Sequence, residues 1–458
     1  MKLSWENLVK QPEEVRRETS EAAGRLAKTL REVFLYAGPA LIVSMAYMDP
    51  GNYGTDIQAG AAFNYGLLWT VWMANFMAML LQYLSGKLGI ATGKGLPELV
   101  RESLHSRFDI YLNWVGAEIA AAATDLAEYL GTVIALNILF GVPLLYASIF
   151  GAADILVLLA LTSKRFRTLE YFFMLFVSII AIGFLYEVLV AGPTGSGLAQ
   201  GFTSPTFTSS SIVLVVGIIG ATVMPHALYV HSSLTKDKLQ NQSVEEKRRV
   251  LKLHVLECVP AFLVAGLVNA AILVVSAVTF YPKFSNVSAV DQAYKIMIPI
   301  YGPLAAVIFA VTLLSSGLAS STTGTLAGQA IMEGLLGTKV NKTARRVVTR
   351  VINVFPTTVA VLLGLDPLSL LVYSQVLLSL MIALPMIPLL IFTARKKMMG
   401  QFVNRHITTL LAVLAGAVIV GLNTYLVYVL VAPLGIALLV LTMGAYCAYH
   451  VYLVYAMR

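Results

Sequence analysis

Charged residues are scarce in this sequence. Asp, Glu, Lys and Arg make up 12% of its 458 residues, whereas about a quarter of the residues of a soluble globular protein are charged. Hydrophobic residues make up 58%, and the mean hydropathy is +0.79. This composition excludes a soluble globular protein, and it predicts an all-α polytopic membrane protein.

Cysteine is nearly absent. Cys258 and Cys447 lie far apart, each within an apolar run. Two distant cysteines exclude a disulfide-stapled scaffold, and they predict no cysteine-containing metal site. Enzyme motifs are lacking as well. The sequence has no nucleophile and base pair, no phosphate-binding loop and no cofactor fingerprint, so neither an enzyme nor a permanently bound cofactor is predicted.

A cleavable signal is also lacking, because residues 1–33 are polar and charged and the first apolar run is itself long enough to be a span. Within this segment, the interleaved Glu and Arg of 12–33 are compatible with an interfacial helix or with a partly disordered tail. The formal charge of +8 and the pI of 9.3 reflect basic residues collected in cytoplasmic loops. We expect no nucleic-acid partner and no obligate protein partner.

Apolar runs of about 20 residues, the length of a transmembrane helix, recur along the chain. They predict twelve spans, with eleven as the alternative because the division of the last pair is uncertain. The runs lie at 36–61, 66–90, 112–140, 143–162, 171–191, 211–234, 254–280, 302–326, 348–364, 367–393, 408–431 and 433–456.

Basic residues predict how the chain is oriented in the membrane. If the N-terminus is cytoplasmic, only Lys283 and Lys295 of the 32 Lys and Arg residues lie outside. A bias of this strength is typical of cytoplasmic loops. We therefore expect a multi-pass protein of the plasma membrane with its N-terminus in the cytoplasm and the lipid bilayer as its surroundings.

Two of the predicted spans are interrupted near their middles. The first breaks at "DPGN", residues 49–52, and the sixth breaks at "MPH", residues 224–226. The breaks therefore occupy corresponding positions in two five-helix halves, of which the second runs inverted, as in transporters with a substrate site at the membrane midplane. This divides the chain into a cytoplasmic segment (1–33), repeat one (34–191), repeat two (211–393) and additional C-terminal helices (406–458).

Asp49 lies in the first break, at a depth in the membrane where a charged side chain is energetically unfavourable. It lies about 14 residues, or roughly 20 Å, into the span, and charges at that depth are normally retained for ions or protons. Capping of the next half-helix is the structural alternative, with Pro50 at the first helical position and Asn52 in the turn. The two roles can coexist.

In the sixth span, Pro225 has no N–H to donate to the carbonyl of Ala221, which is left available to another group. Met224 places a thioether beside that carbonyl. Methionine in an apolar helix usually packs, but a shell of carboxylate, amide, carbonyl and thioether groups suits Mn²⁺ or Fe²⁺ better than Mg²⁺ or Ca²⁺. His226 and His231 follow the break as candidates for proton transfer.

Further polar residues lie within apolar spans. Glu118, Asp125 and Glu128 share one face of the third span, which indicates a proton or cation route. The alternative is a salt-bridged structural cluster with Arg350 as the partner. Gln375 in the tenth span either packs between helices by hydrogen bonding or joins a site when it closes.

The motifs "MDPGN", "ATDLAE" and "ATVMPH" resemble those of the Nramp (natural resistance-associated macrophage protein) family of divalent-metal transporters, as do "GLDPLSLLVYSQV" and "MEGLLG". The resemblance implies a leucine-transporter-like (LeuT-like) fold with two inverted five-helix repeats. It also implies proton-coupled import of Mn²⁺ or Fe²⁺, and of related ions such as Cd²⁺ and Co²⁺, across the membrane of a prokaryote.

Carried over to this sequence, the resemblance implies a metal site and a proton pathway. The metal ligands are Asp49, Asn52, the Ala221 carbonyl and Met224, with Gln375 joining in closed states. The proton-pathway residues are His226, Glu118, Asp125, Glu128 and Arg350, to which we add His231.

The sequence departs from the family pattern at Ala227, where many members have Asn, and at Pro385, which lies two residues later than the usual Pro-Phe pair. The second departure bears on the placement of Gln375. The sequence keeps the methionine of the family motif, Met224, which favours transition metals over Mg²⁺ or Al³⁺ as the transported ions. A cation-coupled amino-acid carrier on the same fold and a metal-gated channel are the alternative functions.

Overall fold

The structure is a computed structural model that describes residues 38–151, 166–236, 243–285, 290–338 and 341–457. Regular secondary structure within these ranges is helical throughout. The segment 1–33, including the helix or tail considered for 12–33, lies outside the described residues.

The first half of the chain contains one interrupted span and several short helices among long ones. In chain order its helices are α1 (Pro39–Ala46), α2 (Pro50–Phe63), α3 (Leu68–Thr92), α4 (Leu96–Ser103), α5 (Arg107–Phe140), α6 (Leu144–Phe150), α7 (Phe166–Ala191) and α8 (Gly195–Thr203). The predicted span 143–162 begins with α6, but most of it lies outside the described residues.

The second half repeats the broken arrangement and then adds two long helices. Its helices are α9 (Ile212–Val223), α10 (Pro225–Lys236), α11 (Val244–Phe280), α12 (Val290–Tyr301), α13 (Pro303–Leu336), α14 (Lys342–Leu362), α15 (Pro367–Met381), α16 (Ala383–Ala394), α17 (Lys396–Met399), α18 (His406–Val431) and α19 (Ile436–Ala456).

By length and composition, the described residues contain nine helical segments that are able to cross a membrane. Helix α14 is not among them, because its first half carries "KTARR" and lowers its hydropathy. The count of twelve spans therefore stays a prediction. The tenth predicted span is two helices, α15 and α16, which meet at Ile382.

Both predicted breaks are present, although the first lies slightly earlier in the chain than the predicted residues 49–52. Helix α1 ends at Ala46 and α2 begins at Pro50, so Tyr47–Asp49 are outside either helix. Helix α9 ends at Val223 and α10 begins at Pro225, and Met224 between them has φ 45° and ψ 105°, a backbone conformation that L residues seldom adopt. The pair of breaks follows the sequence signals, because proline cannot continue a helix from the preceding turn.

The four half-helices lie at the centre of the molecule. Helix α2 packs against α11 and α15, and α9 packs against α15 and α3. Helix α10 packs against α3 and α13, while α13 also packs along α5. As a result, the residues at both breaks are completely buried.

The N-terminus of α1 is held by a carboxylate from α11. Glu257 Oε1 accepts hydrogen bonds from the backbone N–H groups of Gly38 at 2.6 Å, Ala40 at 2.9 Å and Leu41 at 3.1 Å. The first N–H groups of a helix have no partner within the helix, and a negative charge is favourable there. Glu257 thus ties α1 to α11.

Candidate functional site at the helix breaks

Asp49 caps helix α2. Its Oδ1 accepts a hydrogen bond from the backbone N–H of Asn52 at 2.9 Å, and its own backbone is extended, with φ −82° and ψ 164°. Its Oδ2 accepts no hydrogen bond from any described residue, although the side chain is completely buried. Capping therefore uses one carboxylate oxygen and leaves the other for a further partner.

The side-chain amide of Asn52 lies at the point where three oxygens converge. Its Nδ2 donates to Asp49 Oδ1 at 2.9 Å, to the Tyr47 carbonyl at 3.1 Å and to the Ala221 carbonyl at 3.2 Å. Thr222 Oγ1 donates to the Asn52 Oδ1 at 3.5 Å. The NH₂ group thus occupies a position at which a cation would meet oxygens from both broken spans.

Ala221 and Met224 lie at the second break. The Ala221 carbonyl lies four residues before Pro225, which has no N–H, and it accepts from Asn52 instead. Met224 is completely buried at the break. A buried thioether therefore belongs to the residue that lies three positions after Ala221, at the break itself.

Gln375 on α15 is packed against two of the half-helices, α2 and α9. A Cβ added to Gly51 would overlap its side chain, and a Cβ added to Gly220 would overlap its backbone carbonyl oxygen. Both glycines are therefore needed for this close approach. Gln375 Nε2 donates to Ser374 Oγ at 3.1 Å, while Oε1 accepts no hydrogen bond from the residues that the structure describes.

His226 points toward the third predicted span. Its Nδ1 lies 3.0 Å from Thr124 Oγ1 on α5, and its Nε2 has no hydrogen-bond partner within the described ranges. Thr124 directly precedes Asp125 in the sequence. The histidine after the break is thus linked to the helix that carries the three predicted acids, through a threonine that the sequence reading missed.

Asp125 and Glu128 face helix α13 together. A Cβ added to Gly324 would lie 3.0 Å from Asp125 Oδ1 and 3.0 Å from Glu128 Oε2, so both carboxylates border this one glycine. Glu128 is buried, and Asp125 is half-buried. The two acids therefore lie side by side between α5 and α13.

Glu118 forms an ion pair with Arg345 on α14. Arg345 Nη2 is 2.7 Å from Glu118 Oε2 and 2.9 Å from Oε1, and Trp114 Nε1 donates to Oε1 at 3.1 Å. From sequence, Arg350 is the predicted basic partner of these acids. Arg350 lies on the same helix, but its side chain is outside the described part of the structure.

His231 belongs to a polar chain that leads away from the breaks. Tyr47 Oη donates to the Val223 carbonyl at 3.2 Å and accepts from Gln82 Nε2 at 2.7 Å, and Gln82 Oε1 lies 2.9 Å from His231 Nδ1. Gln82 was missed because one glutamine in an apolar span has no sequence feature that separates it from a packing residue.

Two more buried acids were missed, Asp56 on α2 and Glu187 on α7. Both side chains are at most 1% exposed, and none of their carboxylate oxygens has a hydrogen-bond partner among the described residues. Asp56 follows Asp49 by about 10 Å along the helix axis. Acidic residues inside predicted apolar spans were the available signal, since such residues are rare and functional.

Comparison with known proteins agrees with this architecture. A family model described as natural resistance-associated macrophage protein-like (Nramp) matches residues 40–429. The divalent metal cation transporter MntH of Deinococcus radiodurans is 42% identical over 400 residues, which cover 87% of this chain and 91% of that protein. The protein of the same name from Bacillus subtilis is 38% identical over 398 residues, which cover 87% and 92%.

Solved structures extend the agreement to the fold. A mutant of the manganese transporter of Eremococcus coleocola superposes with a TM-score of 0.82 at 27% identity, covering 94% of this chain and 96% of that chain. Mhp1, a nucleobase-cation-symport-1 family transporter, shares the fold alone, with a TM-score of 0.57 at 14% identity over 92% of each chain. The predicted LeuT-like fold is thus confirmed, and the chain belongs to the Nramp family.

Proposed function

We propose that the protein is a secondary transporter that imports divalent transition-metal ions into the cytoplasm together with protons. One observation carries the proposal: Asp49 Oδ1 and the carbonyl oxygens of Tyr47 and Ala221 converge on a single buried position where both spans are broken. Unwound backbone at a membrane midplane is the arrangement that transporters use for cations. The named relatives are divalent metal cation transporters and a manganese transporter.

The proposed ligands are Asp49, Asn52, the Ala221 carbonyl and Met224, with Gln375 joining as the site closes. For the ion to enter, the Asn52 amide rotates so that its oxygen replaces its NH₂ group. The carboxylate and carbonyl oxygens attract any divalent cation, whereas the thioether favours softer ions over Ca²⁺ and Mg²⁺. Mn²⁺ and Fe²⁺ are the proposed substrates, and Cd²⁺ and Co²⁺ are further ions that this shell accepts.

The proposed proton route starts at Asp49 and His226 and continues along α5. Thr124 contacts His226 Nδ1, and Asp125 follows Thr124 in the chain. Asp125 and Glu128 border Gly324, and Glu118 ends the series in its pair with Arg345. Arg350 and His231 stay in the proposal as predicted. Carboxylates and histidine inside a membrane protein are suited to relaying protons.

We place the protein in the inner membrane of a prokaryote with its N-terminus in the cytoplasm, as the distribution of Lys and Arg indicates. In this orientation α1 and α10 lie on the cytoplasmic side of the breaks, and α2 and α9 lie on the external side. Metal ions and protons are the substrates, and the lipid bilayer is the permanent environment.

The proposal is tested by uptake into proteoliposomes that contain an internal pH dye. We expect saturable uptake of Mn²⁺, acidification of the lumen during uptake, and loss of both in Asp49→Asn. Uptake of an amino acid without any response to Mn²⁺ would overturn the proposal in favour of a carrier. Non-saturable metal flux without acidification would overturn it in favour of a channel.

A further inference from the structure

Three side chains able to bind a metal meet at a second place, away from the breaks. His231 lies on α10, and His254 and Cys258 lie one turn apart on α11. One ligand atom from each of the three lies within 4.8 Å of the others. No cysteine metal site is expected from sequence, because the two cysteines lie far apart and within apolar runs.

The two residues of α11 are already close to a ligating arrangement. Cys258 Sγ is 3.5 Å from the ring nitrogens of His254. In a tetrahedral site with metal–sulfur and metal–nitrogen bonds of about 2.3 and 2.0 Å, neighbouring ligand atoms are roughly 3.5 Å apart. The spacing of four residues on a helix therefore gives this pair the separation that a metal requires.

His231 completes the group from the facing helix. Its ring centroid is 5.1 Å from that of His254, at an interplanar angle of 70°. Its Nδ1 lies 2.9 Å from Gln82 Oε1, and its Nε2 lies beside Gly86, which the His254 ring also borders. Metal-binding histidines commonly have one ring nitrogen oriented by such a hydrogen bond while the other binds the metal.

The side chains of all three residues are shielded from water. His231 is completely buried, and His254 and Cys258 are 4% and 1% exposed. The ring of Tyr83 stacks on that of His254, with centroids 6.2 Å apart. Apolar and aromatic surroundings limit competition from water, and a cation and a thiolate attract each other more strongly there than in water.

We propose that His231, His254 and Cys258 form a second metal site, one for soft divalent ions such as Zn²⁺, Cd²⁺ and Co²⁺. Closing it to bonding distance requires movements of about 1 Å. When a metal binds, the Cys258 S–H bond breaks, the sulfur keeps the electron pair and bonds the metal, and one proton is released to solution. The fourth position remains for a water molecule or for an exchanging ligand.

The site differs in selectivity from the one at the breaks. A thiolate with two imidazoles favours Zn²⁺ and Cd²⁺ over Mn²⁺, because soft ligands reinforce the rise in affinity along the first-row divalent ions. Seven residues separate Met224 from His231 on the α10 side of the break, or about 10 Å along a helix. The polar chain from Tyr47 through Gln82 connects the two regions.

Cobalt binding to the purified full-length protein tests the proposal, because a cobalt–thiolate bond has a charge-transfer absorption that thioether and oxygen ligands lack. We expect this band in the native protein and its loss in Cys258→Ser. His254→Gln provides a second variant, which should weaken the band and lower Co²⁺ affinity at least tenfold. Cys447→Ser, at the exposed cysteine on α19, should keep the band.

The proposal does not rest on the proposed transport function, and one variant separates the two. Asp49→Asn should keep the thiolate band while it lowers the number of bound Co²⁺ ions from two per chain to one. Absence of the band from the native protein, or its persistence in Cys258→Ser, would mean that the His254 and Cys258 contact is packing alone. Thermal unfolding of each variant in the absence of metal establishes that it is folded.

Discussion

Asn52 donates twice to one oxygen of Asp49: its backbone N–H and its side-chain Nδ2 both lie 2.9 Å from Oδ1. The backbone hydrogen bond fixes the start of α2, whereas the side-chain hydrogen bond holds an amide where the oxygens of two broken spans converge. Rotation of one side chain can therefore exchange an internal donor for an ion without disturbing the helix cap. This separation of roles leads to the first prediction.

Asp49→Asn should remove metal binding at the helix breaks but keep the fold. Asparagine caps a helix about as well as aspartate, so α2 should still begin at Pro50, whereas the charge that binds the ion is lost. We expect Mn²⁺ to bind at least about 100-fold more weakly, a change of ~2.7 kcal/mol, in isothermal titration calorimetry of the solubilised protein.

Asp366→Asn is the matched control for this change. Asp366 also precedes a proline and caps a helix, accepting from the N–H groups of Leu368 at 3.2 Å and Ser369 at 2.9 Å. It lies at the start of α15, away from the breaks. Equal losses of affinity in the two variants would contradict a specific role for Asp49.

Met224→Leu should change which ions bind and leave stability nearly unchanged. Leucine keeps the volume of the side chain, and such exchanges usually cost less than ~1.5 kcal/mol of unfolding free energy. Loss of the thioether should weaken Cd²⁺ binding at the helix breaks about tenfold, or ~1.4 kcal/mol, and should weaken the rejection of Ca²⁺ there. Competition between Cd²⁺ and Ca²⁺ in calorimetry measures both effects.

Met386→Leu serves as the control for Met224→Leu, because Met386 is a buried methionine on α16. It should leave the affinities for Cd²⁺ and Ca²⁺ as they are. If Met224→Leu also left Cd²⁺ affinity unchanged, the methionine would be a packing residue.

Thr124→Val should separate proton movement from metal binding. The substitution removes the hydroxyl that lies 3.0 Å from His226 Nδ1 and keeps the shape of the side chain. We expect lumen acidification per transported Mn²⁺ to fall, while Mn²⁺ affinity changes by less than about twofold, or ~0.4 kcal/mol. Simultaneous recordings of metal uptake and internal pH provide the ratio.

The control for the threonine lies two turns further along α5. Thr132 Oγ1 donates to the carbonyl of Glu128 at 3.2 Å, within its own helix. Thr132→Val should therefore leave the ratio of protons to metal ions unchanged. Equal ratios in the native protein and in Thr124→Val would refute a role for Thr124 in the proton route.

Gly220→Ala should destabilise the protein. A Cβ at this position would overlap the Gln375 carbonyl oxygen, and backbone atoms cannot rotate away as a side chain does. Overpacking of this kind costs ~1–3 kcal/mol, which thermal unfolding should report as a lower midpoint.

Gly421→Ala on α18 is the control for Gly220→Ala, since a Cβ there has open space around it and replaces glycine within a helix. The control should be neutral or stabilising by ~0.5–1 kcal/mol.

The two breaks could be predicted from sequence because their causes are local. Pro225 lacks the N–H that Ala221 would need, and Asp49 followed by Pro50 is a strong helix start. The family motifs then indicated the LeuT-like fold. The tenth span was predicted as one apolar run, 367–393, and the structure separates it into α15 and α16 at Ile382.

Contacts between helices were harder to predict, because they depend on how each helix is rotated about its own axis. Arg345 and Arg350 lie on the same basic helix, and sequence alone does not determine which of them faces Glu118. His254 and Cys258 already had a ligand spacing of four residues, but only tertiary structure brings His231 to them. Gln82 was recognisable only once its contacts with Tyr47 and His231 were seen.

Helix α1 is short, and one of its ends lies at the first break. Its eight residues span about 12 Å, so each 10° of rotation about Tyr47–Asp49 moves the far end by roughly 2 Å and strains the hydrogen bonds that Glu257 accepts there. Asp49 lies next to the point of rotation, where the displacement is smallest. A rotation of this segment would therefore leave the oxygens that surround Asn52 nearly in place.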